Sequence, residues 1–174
     1  MKDPNNIPEF GIKRDNEERR DGGCGVVFDL QTQKYAVGLQ KGGRFRLFSG
    51  GVEKDEDIQE GILREVTEES GLHDFLYVER VAEAWAHYHN ILRKVNRVAK
   101  ATCFLVVLKS TDTLPVKLED HEKFSLTWAT AEEIINNWQR RNQQKDYDHW
   151  IYFLKRSIAR VKELGYDKGL ASSF

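Results

Sequence analysis

Disulfide chemistry has little to work with in this chain. Its 174 residues include two cysteines, Cys24 and Cys103, each inside an apolar run with no CxxC spacing and no histidine at ligand spacing. They read as buried free thiols rather than as a framework or a metal site. Isolated thiols of this kind suit a reducing compartment, so the expected location is cytoplasmic. Long hydrophobic runs are missing too. The longest, Cys103 to Leu108, falls far short of the roughly 20 residues a membrane helix needs, and the opening MKDPNNIPEF has no apolar signal region. A membrane partner is therefore not expected. Nor is there an excess of charge: 27 Lys and Arg face 28 Asp and Glu, a formal net charge of −1. No global field invites long nucleic acid, so a site for a small anion must be built locally. Internal repeats, low-complexity segments and a second domain are also lacking.

What remains has the makeup of an ordinary globular domain, with 40% hydrophobic and 32% charged residues. Residues 1–21, polar and carrying Pro4 and Pro8, read as an arm, loose or laid over the domain. Ordered structure is expected from Gly22 through a single domain spanning 22–165, with 166–174 as a loose tail. Gly25 to Asp29 and Tyr35 to Gln40 read as strands joined by a turn, and Arg44 to Phe48 as a short strand with one basic face. Phe75 to Ala86 and Ala99 to Lys109 read as long strands rich in β-branched and aromatic residues. Between them Asn90 to Arg97 forms the clearly basic loop, and Phe124 to Ala129 is a further strand. Thr130 can cap a helix carrying Ile134, Ile135 and Trp138. Trp150, Ile151, Leu154, Ile158 and Val161 mark the buried stripe of a last helix, Tyr147 to Leu164. Interleaved strands and helices without regular βαβ alternation predict an α/β fold with a mixed sheet between helices.

One stretch stands apart, Gly50 to Leu72, GGVEKDEDIQEGILREVTEESGL. After a glycine pair and the acidic run Glu53, Asp55, Glu56 and Asp57, it continues as a helix from about Ile58 to Ser70. Asp55 or Asp57 sits near its start, where a carboxylate complements the dipole, and Gly71 stops it. At about 100° per residue Glu65, Glu68 and Glu69 share one arc, next to an apolar arc of Ile62, Leu63 and Val66. Like charges stacked this way are unfavourable in an isolated helix. A hard divalent cation with oxygen ligands removes the penalty.

The spacing Gly50, five residues, Glu56, seven residues, then Arg64-Glu65-Val66-Thr67-Glu68-Glu69-Ser70-Gly71-Leu72 resembles the Nudix box at every fixed position. The resemblance implies a Nudix-type α/β/α sandwich and hydrolysis of a nucleoside diphosphate linked to another group, with magnesium or manganese as cofactor. It also implies Glu65, Glu68 and Glu69 as metal ligands, joined by the backbone carbonyl near Ser49. Arg64 orients the carboxylates, and Glu53 and Glu56 tie the loop to the helix from behind the ligands. Catalytic roles fall to Arg64, Glu65 and Glu69, with Glu122 of a later acidic loop as candidate general base and Glu119 and Asp120 in reserve. Phe48 and Ser49 stand where the family usually has proline and a further glycine.

Substrate choice lies outside the box. Tyr88, sixteen residues past Leu72, and His121-Glu122 ahead of Trp128 resemble the dinucleoside polyphosphate hydrolases of the family. Diadenosine polyphosphates therefore rank first, nucleoside triphosphates or capped RNA ends second, and ADP-ribose third. Tyr88 is read as a stacking surface. Arg46 and the loop residues Arg93, Lys94 and Arg97 are read as substrate-binding, a clamp for phosphates or, for the loop, simply a solvated hairpin tip. A nucleotide sensor without turnover is the reading from another class. The molecule is expected as a monomer or homodimer.

Overall fold

A computed structural model describes residues 6–117 and 124–169. In chain order the strands are β1 (Glu9–Gly11), β2 (Glu18–Arg19), β3 (Gly22–Asp29), β4 (Lys34–Gln40), β5 (Phe45–Arg46) and β6 (Phe48–Gly51), followed by helix α1 (Ile58–Ser70). Then come β7 (Phe75–Asn90), β8 (Val95–Leu108), β9 (Phe124–Ala129), α2 (Ala131–Gln139), α3 (Asp148–Glu163) and a 3-10 turn at Tyr166–Lys168. The expected α/β fold with a mixed sheet is what forms: β3 and β8 run parallel at its centre, β7 and β8 antiparallel, and β4 and β9 antiparallel.

The two central strands are buried on both faces, which is why Cys24 to Phe28 and Cys103 to Leu108 read as nearly unbroken apolar runs. Alternate side chains then serve opposite cores. Val27, Phe104 and Val106 pack with Ile62 and Val66 of α1 on one face. Val26, Phe28, Leu105 and Val107 pack with Trp138 of α2 and with Phe153, Leu154 and Val161 of α3 on the other. Helix α1 starts where Asp57 accepts from the Glu60 N–H at 3.1 Å and stops at Gly71, whose φ of 81° is left-handed. A Cβ at Gly71 would also meet the Leu114 carbonyl oxygen at 2.4 Å.

Three expectations are corrected. The region read as one short strand at Arg44 to Phe48 divides into β5 and β6, because Leu47 and Phe48 turn into the core. The basic loop is shorter than expected: β7 and β8 zip up to Asn90 opposite Val95, leaving 91–94 as the turn. Paired structure also begins before Gly22. β1 lies parallel to β7, with Trp85 N–H donating to the Pro8 carbonyl at 2.8 Å, and β2 lies parallel to β8. Strands of three and two residues are too short to show a period.

His87, assigned no chemistry from sequence, holds this pairing in place. It is buried, with Nδ1 facing Glu17 Oε2 at 2.7 Å and Nε2 facing Glu9 Oε1. Two carboxylate acceptors require both ring nitrogens to be donors, which describes the imidazolium. Burial alone pushes the imidazole pKa down, but the hydrogen bonds and charges of Glu9 and Glu17 outweigh it, and the net direction is up from the ordinary 6.5. A raised folded-state pKa stabilises fully below the unfolded value and is lost as pH rises through the folded one. The stability difference between the wild type and His87→Gln is therefore expected to be largest near pH 6 and to shrink toward pH 8. Urea unfolding at both pH values measures it, and a pH-independent difference would contradict the charged latch.

Candidate active site

The box residues are organised by one guanidinium. Arg64 Nε and Nη2 reach the two carboxylate oxygens of Glu56 at 3.1 and 3.2 Å, while Nη1 reaches Glu65 Oε1 at 3.1 Å and Glu68 Oε2 at 3.2 Å. The Arg64 hydrogen bonds hold the Glu56 carboxyl below its ordinary value, helped by the Glu53 N–H donating to Glu56 Oε1 at 3.1 Å. Glu56 thus ties the loop to the helix as expected. Glu53 takes part through its backbone, and its residue is exposed.

Glu69 lies apart from this group. Its side chain is 3% exposed, with Oε1 accepting from the Ser49 N–H at 2.8 Å and Oε2 from Arg46 Nη2 at 3.1 Å. Ser49 meets the box through its N–H. Arg46 also lies over the Phe124 ring at 4.6 Å. Between the two groups Gly50 passes so close to Glu65 that a Cβ there would sit 2.4 Å from the carboxyl carbon, so any larger residue would displace the Glu65 carboxylate.

Among the described residues no three Asp, Glu, His or Cys side chains converge as a metal cluster. The donor set nonetheless fits a hard divalent cation in kind. All its donors are oxygens, and Glu65 and Glu68 already flank one cationic nitrogen.

Beside the box loop, on the α3 face of the sheet, is a cavity of about 450 Å³. Small residues make the space. Ala86, Ala99 and Ala101 point to the same face of β7 and β8 as Tyr88 and Arg97, and larger side chains there would fill it. Tyr147, Trp150 and Phe153 form the opposite wall. Arg20, Arg44, Arg46, Arg93 and Arg97 line it, against Asp21 and Asp146, so a chain of nearly zero net charge places a basic, aromatic pocket next to its acidic box. Ser49, Gly50, Gly51 and Arg46 join the two. None of Glu65, Glu68 and Glu69 lines the cavity. Burial pushes His149, at its wall, down to about 4, so its ring is neutral at physiological pH.

Three buried side-chain polar atoms have no hydrogen-bond partner among the described residues: Arg44 Nε, Arg97 Nε and Asp146 Oδ1. All three residues line this cavity.

Of the residues predicted for substrate, Arg46, Tyr88, Arg93 and Arg97 are brought together here. Arg97 is not on an exposed tip: it is a strand residue, 5% exposed, opposite Tyr88 in register. Lys94 stays exposed at the turn and does not line the cavity. Glu122, with Glu119 and Asp120, lies outside the described residues. Sequence reasoning missed Arg20, Arg44, Asp146, Tyr147 and Trp150. Arg20 was assigned to the arm, and Arg44 alternates with the predicted Arg46 on the same short basic run. Trp150 reads as core-facing and Tyr147 as the start of the last helix; both pack on the core, with the cavity forming where that core stops.

A family model described as NUDIX domain matches residues 19–151. Nudix hydrolase 6 of Arabidopsis thaliana is 30% identical over 166 residues, 91% of this chain and 55% of that protein, so the chain spans about half the length of this curated relative. Among solved structures, a putative NUDIX hydrolase of Listeria monocytogenes superposes with a TM-score of 0.61 at 21% identity, covering 82% of this chain and 94% of that one. The NUDIX domain of Shewanella oneidensis NrtR, complexed with ADP ribose, gives 0.59 at 14% identity, covering 83% and 90%. An Ap4A hydrolase of Caenorhabditis elegans gives 0.54 at 14%, covering 83% and 99%. At these identities the structures establish the fold. The family match, spanning the box and most of the residues lining the adjoining cavity, establishes more: this chain belongs to the Nudix hydrolase family, whose members act on phosphorus-containing acid anhydrides.

Proposed function

We propose that the chain is a metal-dependent pyrophosphohydrolase that cleaves a nucleoside diphosphate from the group linked to it, with a diadenosine polyphosphate as substrate. The observation that carries this reading is the cavity with five arginines and an aromatic wall opening beside the box at Ser49–Gly51. Guanidiniums suit phosphate oxygens, and flat apolar walls suit a base. The Ap4A hydrolase of C. elegans shares the fold, and the substrate preference rests on the cavity and Tyr88 rather than on that likeness.

In this reading Glu65, Glu68 and Glu69 hold magnesium or manganese, which when bound shields phosphate oxygens and lowers the pKa of a coordinated water. Arg64 keeps Glu56, Glu65 and Glu68 gathered. Arg46 spans the Glu69 carboxylate and the cavity, and so lies where a phosphate chain would pass. Arg93 meets the outer phosphates, and Tyr88 stacks on a base. Water attacks one phosphorus, the bond from that phosphorus to the bridging oxygen breaks, and the water proton passes to a carboxylate, for which Glu122 is the proposed base.

A nucleoside triphosphate or the 5′ end of an RNA is the second reading, since a cavity of about 450 Å³ beside the box is on the scale of one small ligand. A sensor without turnover is separated from both by a nucleotide panel with magnesium, scored for release of phosphate or mononucleotide.

Glu68 offers the cleanest test of the box, because its side chain is 57% exposed and its loss leaves no hole. Glu68→Gln is expected to lower turnover at saturating magnesium by orders of magnitude with an unchanged melting temperature; full activity would remove the residue from the ligand set. Base–aromatic stacking is worth about 1–3 kcal/mol, so Tyr88→Ala is expected to raise the Kd for diadenosine tetraphosphate tenfold or more, while Tyr88→Phe changes it little. Arg93→Ala is expected to raise KM more for tetraphosphate than for diphosphate substrates, with the gap closing at high salt as exposed charges are screened. Equal KM changes would return the hairpin tip to a solvated turn.

A further inference from the structure

We propose that the cavity reads an adenine-type base edge through Asp146, Arg44 and Arg97. The inference rests on the proposal that the cavity takes a nucleotide, and deepens it by naming the atoms that select the base. Native proteins pair nearly all their buried polar groups, yet the three buried side-chain atoms without partners among the described residues belong to one cavity. Two are guanidinium N–H donors and one is a carboxylate acceptor. Arg97 is 5% exposed, so its unpaired Nε cannot turn to bulk water.

Burial raises the Asp146 carboxyl, and Arg14, then His89 and Arg44, pull against it; Arg44 and Asp146 make no ion pair with each other. Asp146 Oδ1 forms an ion pair with Arg14 Nη2 at 3.6 Å, longer than a hydrogen bond, and the side chain as a whole is 35% exposed, so Oδ1 keeps an open acceptor position. A donor and an acceptor that share a cavity without meeting leave room for a group offering both complements. Phosphate is the wrong complement, because it has no hydrogen for Asp146 and would be repelled by it. An exocyclic amino group supplies that hydrogen, and a neighbouring ring nitrogen accepts from an arginine N–H. The aromatic surroundings point to a flat ring as well: Arg44 already lies over Tyr147 at 5.5 Å, and Tyr147 and Trp150 are 5.8 Å apart in an edge-on pair. Adenine, with its amino group between two ring nitrogens, has this edge. Hypoxanthine puts a carbonyl oxygen where the amino group stood, facing the carboxylate.

The test is equilibrium binding of ATP and ITP to the full chain in EDTA, so that no turnover intervenes. Wild type is expected to bind ATP about tenfold or more tighter than ITP, because the hypoxanthine carbonyl oxygen would face the Asp146 carboxylate oxygen with no hydrogen between them. Asp146→Asn, which keeps the shape and can donate to a carbonyl, is expected to bring the ratio near one or invert it. Arg44→Lys is expected to weaken ATP binding, and melting curves check that both variants fold. An unchanged ATP-to-ITP ratio in Asp146→Asn, or no preference in the wild type, overturns the base-reading assignment, as does ribose 5-phosphate competing as well as AMP. Discrimination in binding combined with no hydrolysis of any nucleotide with magnesium would sustain this inference and sink the hydrolase reading instead.

Discussion

Arg64 lies among three carboxylates, and the geometry of the box depends on that placement. Glu65 and Glu68 project from one arc of α1, while Glu56 comes from the preceding loop. Without a cation between them their charges would drive the loop from the helix and splay the glutamates into solvent. The guanidinium is planar and holds five donors in fixed directions, so it can bind both Glu56 oxygens while offering Nη1 to the other two glutamates. These pairs are partly exposed, with Arg64 at 34%, so their net contribution to stability is small. Their effect is on position: four side chains lie in one arrangement beside Gly50, which must lack a side chain to let Glu65 approach.

The sheet divides the work between its two faces. Helix α1 covers one face with Ile62 and Val66, and so carries the box carboxylates at that layer's edge. On the other face the core formed with α3 stops at a strip of alanines, and a cavity takes the place of packing. Arg46 spans the boundary, with one nitrogen on Glu69 and its side chain at the cavity wall. Acidic and basic halves of the site are thereby kept close without neutralising each other wholesale.

The N-terminal segment has a larger part than its composition implies. Two short strands add to the sheet beside β7 and β8, and Arg20, just past the second, reaches the cavity. What holds the segment there is a buried imidazolium between two carboxylates, together with Arg19 over the Trp85 ring at 5.0 Å. The pocket wall thus depends on residues 60 to 80 positions away in the chain.

Local signals were enough for much of this. The central strands were legible because burial on both faces makes them continuously apolar, helix α1 because its caps and period agree, and the box because its spacing is fixed by one helix face and one loop. α2 and α3 followed from Thr130 and from the stripe at Trp150 to Val161 for the same reason. Other features exist only once strands meet. A two-residue strand has no periodicity, so β1 and β2 could not be read; nor could the zipping of β7 onto β8 that moves Arg97 from a loop into a buried strand. Alanines look alike in sequence whether they pack or leave space, and only the register of β7 on β8 puts Ala86 beside Ala99. The carboxylates and their spacing on loop and helix were determined by the sequence. Which arginines and which aspartate share a cavity with Tyr88 was decided by tertiary structure, because those contacts join residues that no local pattern relates.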